Sequence, residues 1–332
     1  MRVMVLGGAG FMGSNFVEFL VRNARRAEVL VYDKLTYAGR LENLRDVLDR
    51  IEFVKGDIVD ERMLGETVQR FKPEVVVNFA AETHVDRSIN EPAPFIRTNV
   101  LGVFTVLEVL RKYRDALYVH ISTDEVYGDL SWTQEMADET WCLRPSSPYS
   151  ASKAAGDLFI TAYGRTYGIN YTIVRPCNNY GPRQHPEKLI PRTIIRLLLG
   201  KPATIYGDGG QVRDWLYVQD FAEGLYTVIK KGESHSIYNI CAHNFASVRQ
   251  IVEMIVEMMG HDPSESIVYV RGRPGDDRRY AMKCDRVRSL GWTPRVDLRE
   301  GLRRTIEWYK SNRWWWEPIL DEYVLSDTPW KL

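Results

Sequence analysis

The feature that most constrains this chain is the run Gly7-Gly8-Ala9-Gly10-Phe11-Met12-Gly13, set directly behind the apolar stretch Arg2 to Gly7 and at the head of an amphipathic segment. Glycines at 7, 10 and 13 suit a strand that turns tightly into a helix, lets backbone approach phosphate, and points the helix N-terminus at it. The spacing is G-x-x-G-x-x-G rather than G-x-G-x-x-G, and a lone run of this kind also serves as an ordinary tight turn. Its surroundings narrow the choice. Further Val- and Ile-rich stretches follow at Glu28 to Tyr32, Ile51 to Lys55, Glu74 to Phe79, Ala116 to Ser122 and Asn170 to Arg175, with helical patterns between most of them. Strands that are apolar throughout, such as Val75-Val76-Val77, are buried on both faces, so the alternation predicts a doubly wound α/β fold of Rossmann type.

After about residue 176 the rhythm changes to shorter strands near Thr204, Ile237 and Val268, with helices near 189–199, 248–259 and 298–311. With 332 residues and no linker-like segment, the chain is expected to hold two intimately packed parts. These are a dinucleotide-binding domain over 1–175 and a smaller mixed α/β substrate domain over 176–332, with the chain free to cross between them. The run Trp314-Trp315-Trp316 matches no motif, and burial in a domain or subunit contact is its plain reading.

Composition narrows the partners. Zero formal net charge with 27% charged residues gives no footprint for nucleic acid or an anionic membrane. The first strand begins at residue 2 with no basic leader, and no stretch reaches the roughly 18 consecutive apolar residues that span a bilayer. A cytoplasmic chain with a small-molecule ligand is expected. Cys142, Cys177, Cys241 and Cys284 lie far apart and form no metal-type pattern with the six histidines, so they read as structural, with no metal site.

Asp33 ends the second strand pattern, where a carboxylate accepts hydrogen bonds from an adenosine ribose and repels a 2'-phosphate; taken alone it is a solvated loop acid, but behind the glycine turn it selects NAD over NADP. Asp57-Ile58 after the third strand suits the adenine, and Ala80-Ala81 after the fourth leaves room for the dinucleotide. A helix start is written in Ser147-Pro148, with serine as cap and proline in the first turn. Tyr149 and Lys153 then share a helix face, where an ammonium beside the phenol is expected to lower its pKa and make it a usable base. Any Y-x-x-x-K also occurs as a surface pair. Here it follows the strand ending in Ser122-Thr123-Asp124-Glu125, which brings a hydroxyl and two carboxylates to the same crevice.

Taken together, these residues resemble the extended short-chain dehydrogenase/reductases, and among them the nucleotide-sugar 4,6-dehydratases. The similarity runs through nearly the whole chain, including Ala80 to Ser88, Asn178-Asn179-Tyr180-Gly181-Pro182, Pro186 to Pro191, Arg213-Asp214-Trp215 and Arg273-Pro274-Gly275. It implies dTDP-glucose as substrate, NAD as cofactor and a homodimer built on helices near 91–114 and 148–168. Tyr149 would remove the proton of the sugar C4 hydroxyl while the C4 hydride passes to NAD, Thr123 would bind the C4 oxygen, and Lys153 would hold the nicotinamide ribose and tune Tyr149. Glu125 would remove the C5 proton, and Asp124 would protonate the departing C6 hydroxyl. Phe11, Met12, Thr98 and Asn178 would join the cofactor site. His84, Asn179, Lys188, Leu189, Thr204, Tyr206, Arg213, Asn244, Arg273 and Asp277 would surround the substrate, although a single histidine or arginine is more often structural. Asp276 and Cys241-Ala242 depart from the family pattern, where histidine and glycines are usual. A UDP-glucose dehydratase shares the catalytic run; a UDP-galactose 4-epimerase shares the scaffold but has no use for Asp124-Glu125, and a decarboxylase or a non-catalytic regulator fits less well.

Overall fold

The computed structural model describes residues 1–321 except Arg25 and Arg114, together with Leu325 and Ser326; the last residues of the predicted second part lie outside that range. Six strands appear where the apolar stretches predict them: β1 (Arg2–Leu6), β2 (Glu28–Asp33), β3 (Glu52–Lys55), β4 (Val75–Asn78), β5 (Leu117–Ile121) and β6 (Tyr171–Pro176). Then come β7 (Asn178–Tyr180), β8 (Ala203–Tyr206), β9 (Val212–Tyr217), β10 (Ser236–Ile240), β11 (Phe245–Ser247) and β12 (Ile267–Val270).

The central sheet is seven-stranded in the order β10-β6-β5-β4-β1-β2-β3, and every pair in it is parallel. Val3 to Leu6 lie between Val29 to Tyr32 and Val75 to Asn78, which buries β1 on both edges and both faces. The order reverses between β1 and β4, and a crevice opens outside their carboxyl ends, where such sheets bind ligands. The helix Phe11–Asn23 buries Phe16, Val17, Leu20 and Val21 on one face, the i, i+4 stripe that packs a crossover helix onto a sheet.

The strand near Ile237, grouped by sequence with the second part, is the outermost strand of this sheet, with Ser236 to Ile240 pairing Thr172 to Pro176. Phe221, Leu225 and Val228 of the helix Val218–Lys231, and Met282, Val287 and Trp292, share one core with Val3, Val5, Phe16 and Leu20. Beyond residue 176 the chain thus returns to the first sheet and to its core. The remainder forms the sheets β11-β9-β7 and β12-β8 around a separate core of Ile194, Ile195, Ile251, Ile255, Leu302 and Ile306. Trp315 and Trp316 are buried in that core while Trp314 is 43% exposed.

The helical stretch Ala93–Lys112 is long and apolar enough to cross a membrane by length and composition alone, with a mean hydropathy of 1.4, although none was expected. Its inner face, Val103, Val106, Leu107 and Leu110, is core. The outer face exposes Ile96, Leu101 and Phe104 beside Leu158 and Phe159 of the helix Pro148–Tyr167.

Candidate active site

At the head of β1 the backbone leaves no room for side chains. Gly7 has φ of +70°, and a Cβ there would lie 2.4 Å from Ala80 N, while one on Gly13 would lie 2.4 Å from Gly7 O. Gly10 opens the following helix with no side-chain cap and no acid in its first turn, so its free N–H groups face the crevice. A dinucleotide diphosphate fits this cradle: close-approach backbone, helix dipole and unsatisfied donors coincide. Asp33 is buried behind it, accepting from Ala9 N at 2.9 Å and Leu35 N at 2.8 Å. Burial raises its pKa, opposed by those two amides.

One cleft is lined by Gly7, Gly10, Phe11, Met12, Gly13, Asp33, Asp57, Ile58, Ala80, Ala81, Thr98 and Asn178. The same cleft reaches Thr123, Asp124, Glu125, Tyr149, Lys153, Asn179 and Lys188. Thr98 comes to it from a π-helical turn, Ile96–Gly102, whose Asn99 binds Glu82 N, Glu82 O and Ser152 Oγ. That turn ties the Ala80 to Glu82 segment to the helix of Tyr149.

The catalytic candidates are placed by two local devices. Thr123 caps the short turn Asp124–Tyr127 by accepting from Glu125 N, and Gly128 ends it at φ of +76°, where a Cβ would lie 2.0 Å from Arg144 O. Ser147 caps the helix that carries Tyr149 and Lys153 with Pro148 in its first turn, as the sequence predicts, and Ser150 completes a reciprocal capping box that the sequence reading did not name.

Burial, and then the charge of Glu125, pushes Asp124 up to about 8; Arg213 and Thr123 oppose the shift. Glu125 is also raised by burial, against the opposing charges of Arg213, Arg273 and Lys188. The two neighbours thus differ in surroundings, with the cations favouring charge on Glu125. Two adjacent acids in different environments can take opposite protonation states.

The expectation that Lys153 lowers the Tyr149 pKa is not met. Burial and Glu125 raise the phenol, and Thr123 is the group that opposes them. The Lys153 ammonium instead donates to Ile121 O at 2.6 Å and lies 3.4 Å from His120 Nε2; burial brings its own pKa down to about 8, opposed by Asp157. Asp157 is one helical turn beyond Lys153 and bonds Arg175 Nε at 3.0 Å, and Arg175 Nη1 reaches Tyr127 Oη at 2.8 Å. The sequence reading passed over this buried acid, although its spacing from Lys153 places it on the same helix face.

The substrate candidates separate into groups. Arg213 donates to Asp277 O at 2.8 Å and lies over the Tyr280 ring at 4.2 Å. Arg273 bridges Asp86, at 2.7 Å, and Asp276, at 3.0 Å. Asp276 also accepts from Gln211 at 2.7 Å, so the departure from the family pattern supplies a carboxylate between the two arginines. His84 is buried near Asp86, and burial brings its pKa down to about 4. Lys188 donates to Thr83 O at 2.9 Å, Tyr206 pairs with Arg192, and Thr204 is buried in β8. Of the substrate candidates, Asn179 and Lys188 line the cleft, whereas the Asn244 amide donates to Trp215 O at 3.3 Å and Leu189 packs on the C-terminal core. Cleft residues the sequence reading did not single out include Lys34, Thr36, Glu82, His185 and Glu187; Glu187 accepts from Tyr37 Oη at 3.0 Å and Arg87 Nε at 2.9 Å.

Sequence spacing shows no metal-type cluster, but folding brings the side-chain donor atoms of Cys241, His243 and Cys284 within 4.8 Å of one another. Those atoms are already engaged. Cys241 and Cys284 form a disulfide, Arg288 donates to His243 Nδ1 at 3.2 Å, and the other ring nitrogen meets Met282 O at 3.1 Å.

A family model described as GDP-mannose 4,6 dehydratase matches residues 4–305. A dTDP-glucose 4,6-dehydratase of Neisseria meningitidis is 44% identical over 342 residues, covering 96% of each chain. A crystal structure of a dTDP-glucose 4,6-dehydratase from Streptomyces venezuelae, with NAD bound, superposes with a TM-score of 0.93 at 42% identity, over 96% of this chain and 100% of that one. The UDP-glucose 4-epimerase of Thermus thermophilus in complex with NAD gives 0.87 at 35% identity, over 94% and 100%.

Proposed function

The chain belongs to the GDP-mannose 4,6-dehydratase family of extended short-chain dehydrogenase/reductases, and on that premise we propose that it is an NAD-dependent dTDP-glucose 4,6-dehydratase. The observation that carries this beyond the shared scaffold is the acid pair beside Tyr149. Asp124 is 4% exposed and held up to about 8, next to a Glu125 faced by Arg213, Arg273 and Lys188. An epimerase needs only reversible oxidation at C4; elimination of water across C5 and C6 also needs a base and an acid side by side.

Bound NAD, held by the glycine turn, Asp33 and Lys153, would supply the hydride acceptor for C4 and the hydride donor for C6. Every other task falls to side chains. Tyr149 accepts the proton of the C4 hydroxyl, and Thr123, the group that favours its phenolate, shares the C4 oxygen. Asp124, neutral below about 8, removes one of the two negative charges that oppose the phenolate and carries the proton that the departing C6 oxygen requires. Glu125, whose rise by burial is opposed by Arg213, Arg273 and Lys188, takes the C5 proton made acidic by the C4 ketone. Arg213 and Arg273 bind the nucleotide diphosphate, and their planar forks suit phosphate oxygens. Lys153 holds the nicotinamide ribose. The central sheet thus carries cofactor and chemistry, and the C-terminal part carries the nucleotide.

The exposed row Ile96, Leu101, Phe104, Leu158 and Phe159 supports a homodimer through these helices, because apolar side chains are concentrated there in the outer layer. Nucleotide-sugar and NAD chemistry points to the cytoplasm.

The test is turnover of dTDP-glucose by the purified protein, followed by identification of the sugar. The expected product is a 4-keto-6-deoxy sugar with no net consumption of NAD; dTDP-galactose without dehydration would overturn the reading. Parallel turnover of UDP- and CDP-glucose decides the nucleotide base.

A further inference from the structure

The aromatic run near the C-terminus reaches back to the cofactor cradle. Trp315 Nε1 donates to Asn43 Oδ1 at 2.7 Å, across 272 positions of sequence. The Asn43 amide nitrogen donates to Ala9 O at 2.6 Å, and Ala9 N donates in turn to Asp33 Oδ2 at 2.9 Å. Arg40 N shares Ala9 O at 3.1 Å, and Arg40 Nη1 closes the loop onto Trp315 O at 2.8 Å. Trp315 and Asn43 are 2% and 3% exposed. Ala38 and Gly39, inside the same segment, line the cleft beside Gly7, Gly10 and Asp33, and a Cβ on Gly39 would meet Asp33 Oδ1 at 2.9 Å.

We propose that Trp315 is a positioning residue for the dinucleotide, acting through Asn43 on the glycine turn and on Asp33. The chemistry rests on the asymmetry of the amide. An indole N–H only donates, so it admits one orientation of Asn43, the one that presents the NH2 group to Ala9 O. Without that donor, Asn43 Oδ1 is a buried acceptor with no partner, and the orientation that restrains the turn is held only by the carbonyls of Ala9 and Ala38. This inference rests on the cofactor reading above. Its consequence is specific to cofactor retention, which a reaction that returns its own hydride requires for the whole cycle.

The experiment compares holoenzymes carrying Trp315→Phe, Asn43→Ala, both changes, or Trp316→Phe. The last loses an equally buried indole bond, to Tyr309 O at 2.8 Å, with no link to Asn43. Bound NAD is followed by its dissociation rate and equilibrium affinity, and thermal stability is recorded alongside. Trp315→Phe and Asn43→Ala are each expected to weaken NAD binding by roughly five- to thirtyfold, the scale of one buried polar group left unpaired, Asn43 Oδ1 in the first and the Trp315 indole N–H in the second. The double variant is expected to be no weaker than the worse single one, because both break the same link. Trp316→Phe is expected to lower the melting temperature while leaving NAD affinity and the sugar KM unchanged. Equal loss of NAD in Trp315→Phe and Trp316→Phe, or an effect of Trp315→Phe on melting alone, overturns the proposal. Wild-type protein that binds no dinucleotide overturns the cofactor reading itself.

Discussion

Replacing Glu125 by glutamine separates the two halves of the proposed reaction. The change is isosteric, and the turn that carries the residue is held by its backbone, through Glu125 N on Thr123 Oγ1 and Gly128 N on Glu125 O. The site therefore keeps its shape while losing its base. A positioned general base contributes about 10²- to 10⁴-fold, so the barrier for loss of the C5 proton rises by roughly 3–5 kcal/mol at 1.36 kcal/mol per decade. Oxidation at C4 is affected in the opposite sense. Glu125 is the largest charge holding the Tyr149 phenol up, and its neutralisation favours phenolate. The expected outcome is a stalled enzyme: NADH absorbance appears on mixing with dTDP-glucose and persists, while deuterium from solvent fails to enter C5. Loss of NADH formation together with C5 exchange would refute the division of roles, and so would exchange at the wild-type rate.

Other consequences can be checked on the same protein. Because Asp124 is raised from the ordinary carboxylate range to about 8, its neutral form is favoured in the folded state. Its contribution to stability is complete below the unfolded pKa near 4 and is lost as pH rises to about 8. Asp124→Asn, which abolishes dehydration, should therefore gain stability over wild type by a few kcal/mol at pH 8–9 and by much less at pH 5, read from urea midpoints; a pH-independent difference would contradict this. Asp157→Asn strands the buried Arg175, 4% exposed against 2% for the acid, and should cost about 3–5 kcal/mol in urea unfolding. Asp276→Asn releases Arg213 and Arg273 from an internal carboxylate and should lower the KM for dTDP-glucose by roughly three- to tenfold at constant kcat, on the scale of one charge-assisted bond. Leu158→Glu, on a side chain 63% exposed, should convert the proposed dimer to monomer by sedimentation at micromolar concentration; an unchanged mass would place any interface elsewhere.

Much of the fold was legible because strands buried on both faces are rich in Val, Ile and Leu, as in Val75-Val76-Val77, although β5 and β6 also bury His120 and Arg175. The outermost strand, β10, was legible as a strand but not as a neighbour. Ser236 to Ile240 reads like any short apolar segment, and its pairing with β6 accompanies packing of the preceding helix Val218–Lys231 on the helix Phe11–Asn23, far away in sequence. Local signals gave the site's backbone: glycines for the cradle, Ser147-Pro148 for the start of the catalytic helix, and Asp33 at a strand end.

Sequence by itself determined which strand ends and following helices converge on the cleft, and so brought the glycine turn, Asp33, Thr123 to Glu125, Tyr149 and Lys153 to it. Only the tertiary structure decided how those groups are charged and held. Burial raises Tyr149 where spacing alone suggested lowering, Lys153 turns to Ile121 O and His120, and Asn244 is drawn away by Trp215 O. The tryptophan run, silent as a motif, touches the glycine turn through Asn43. Desolvation and contacts between distant segments depend on the whole packed chain, and no local spacing encodes them.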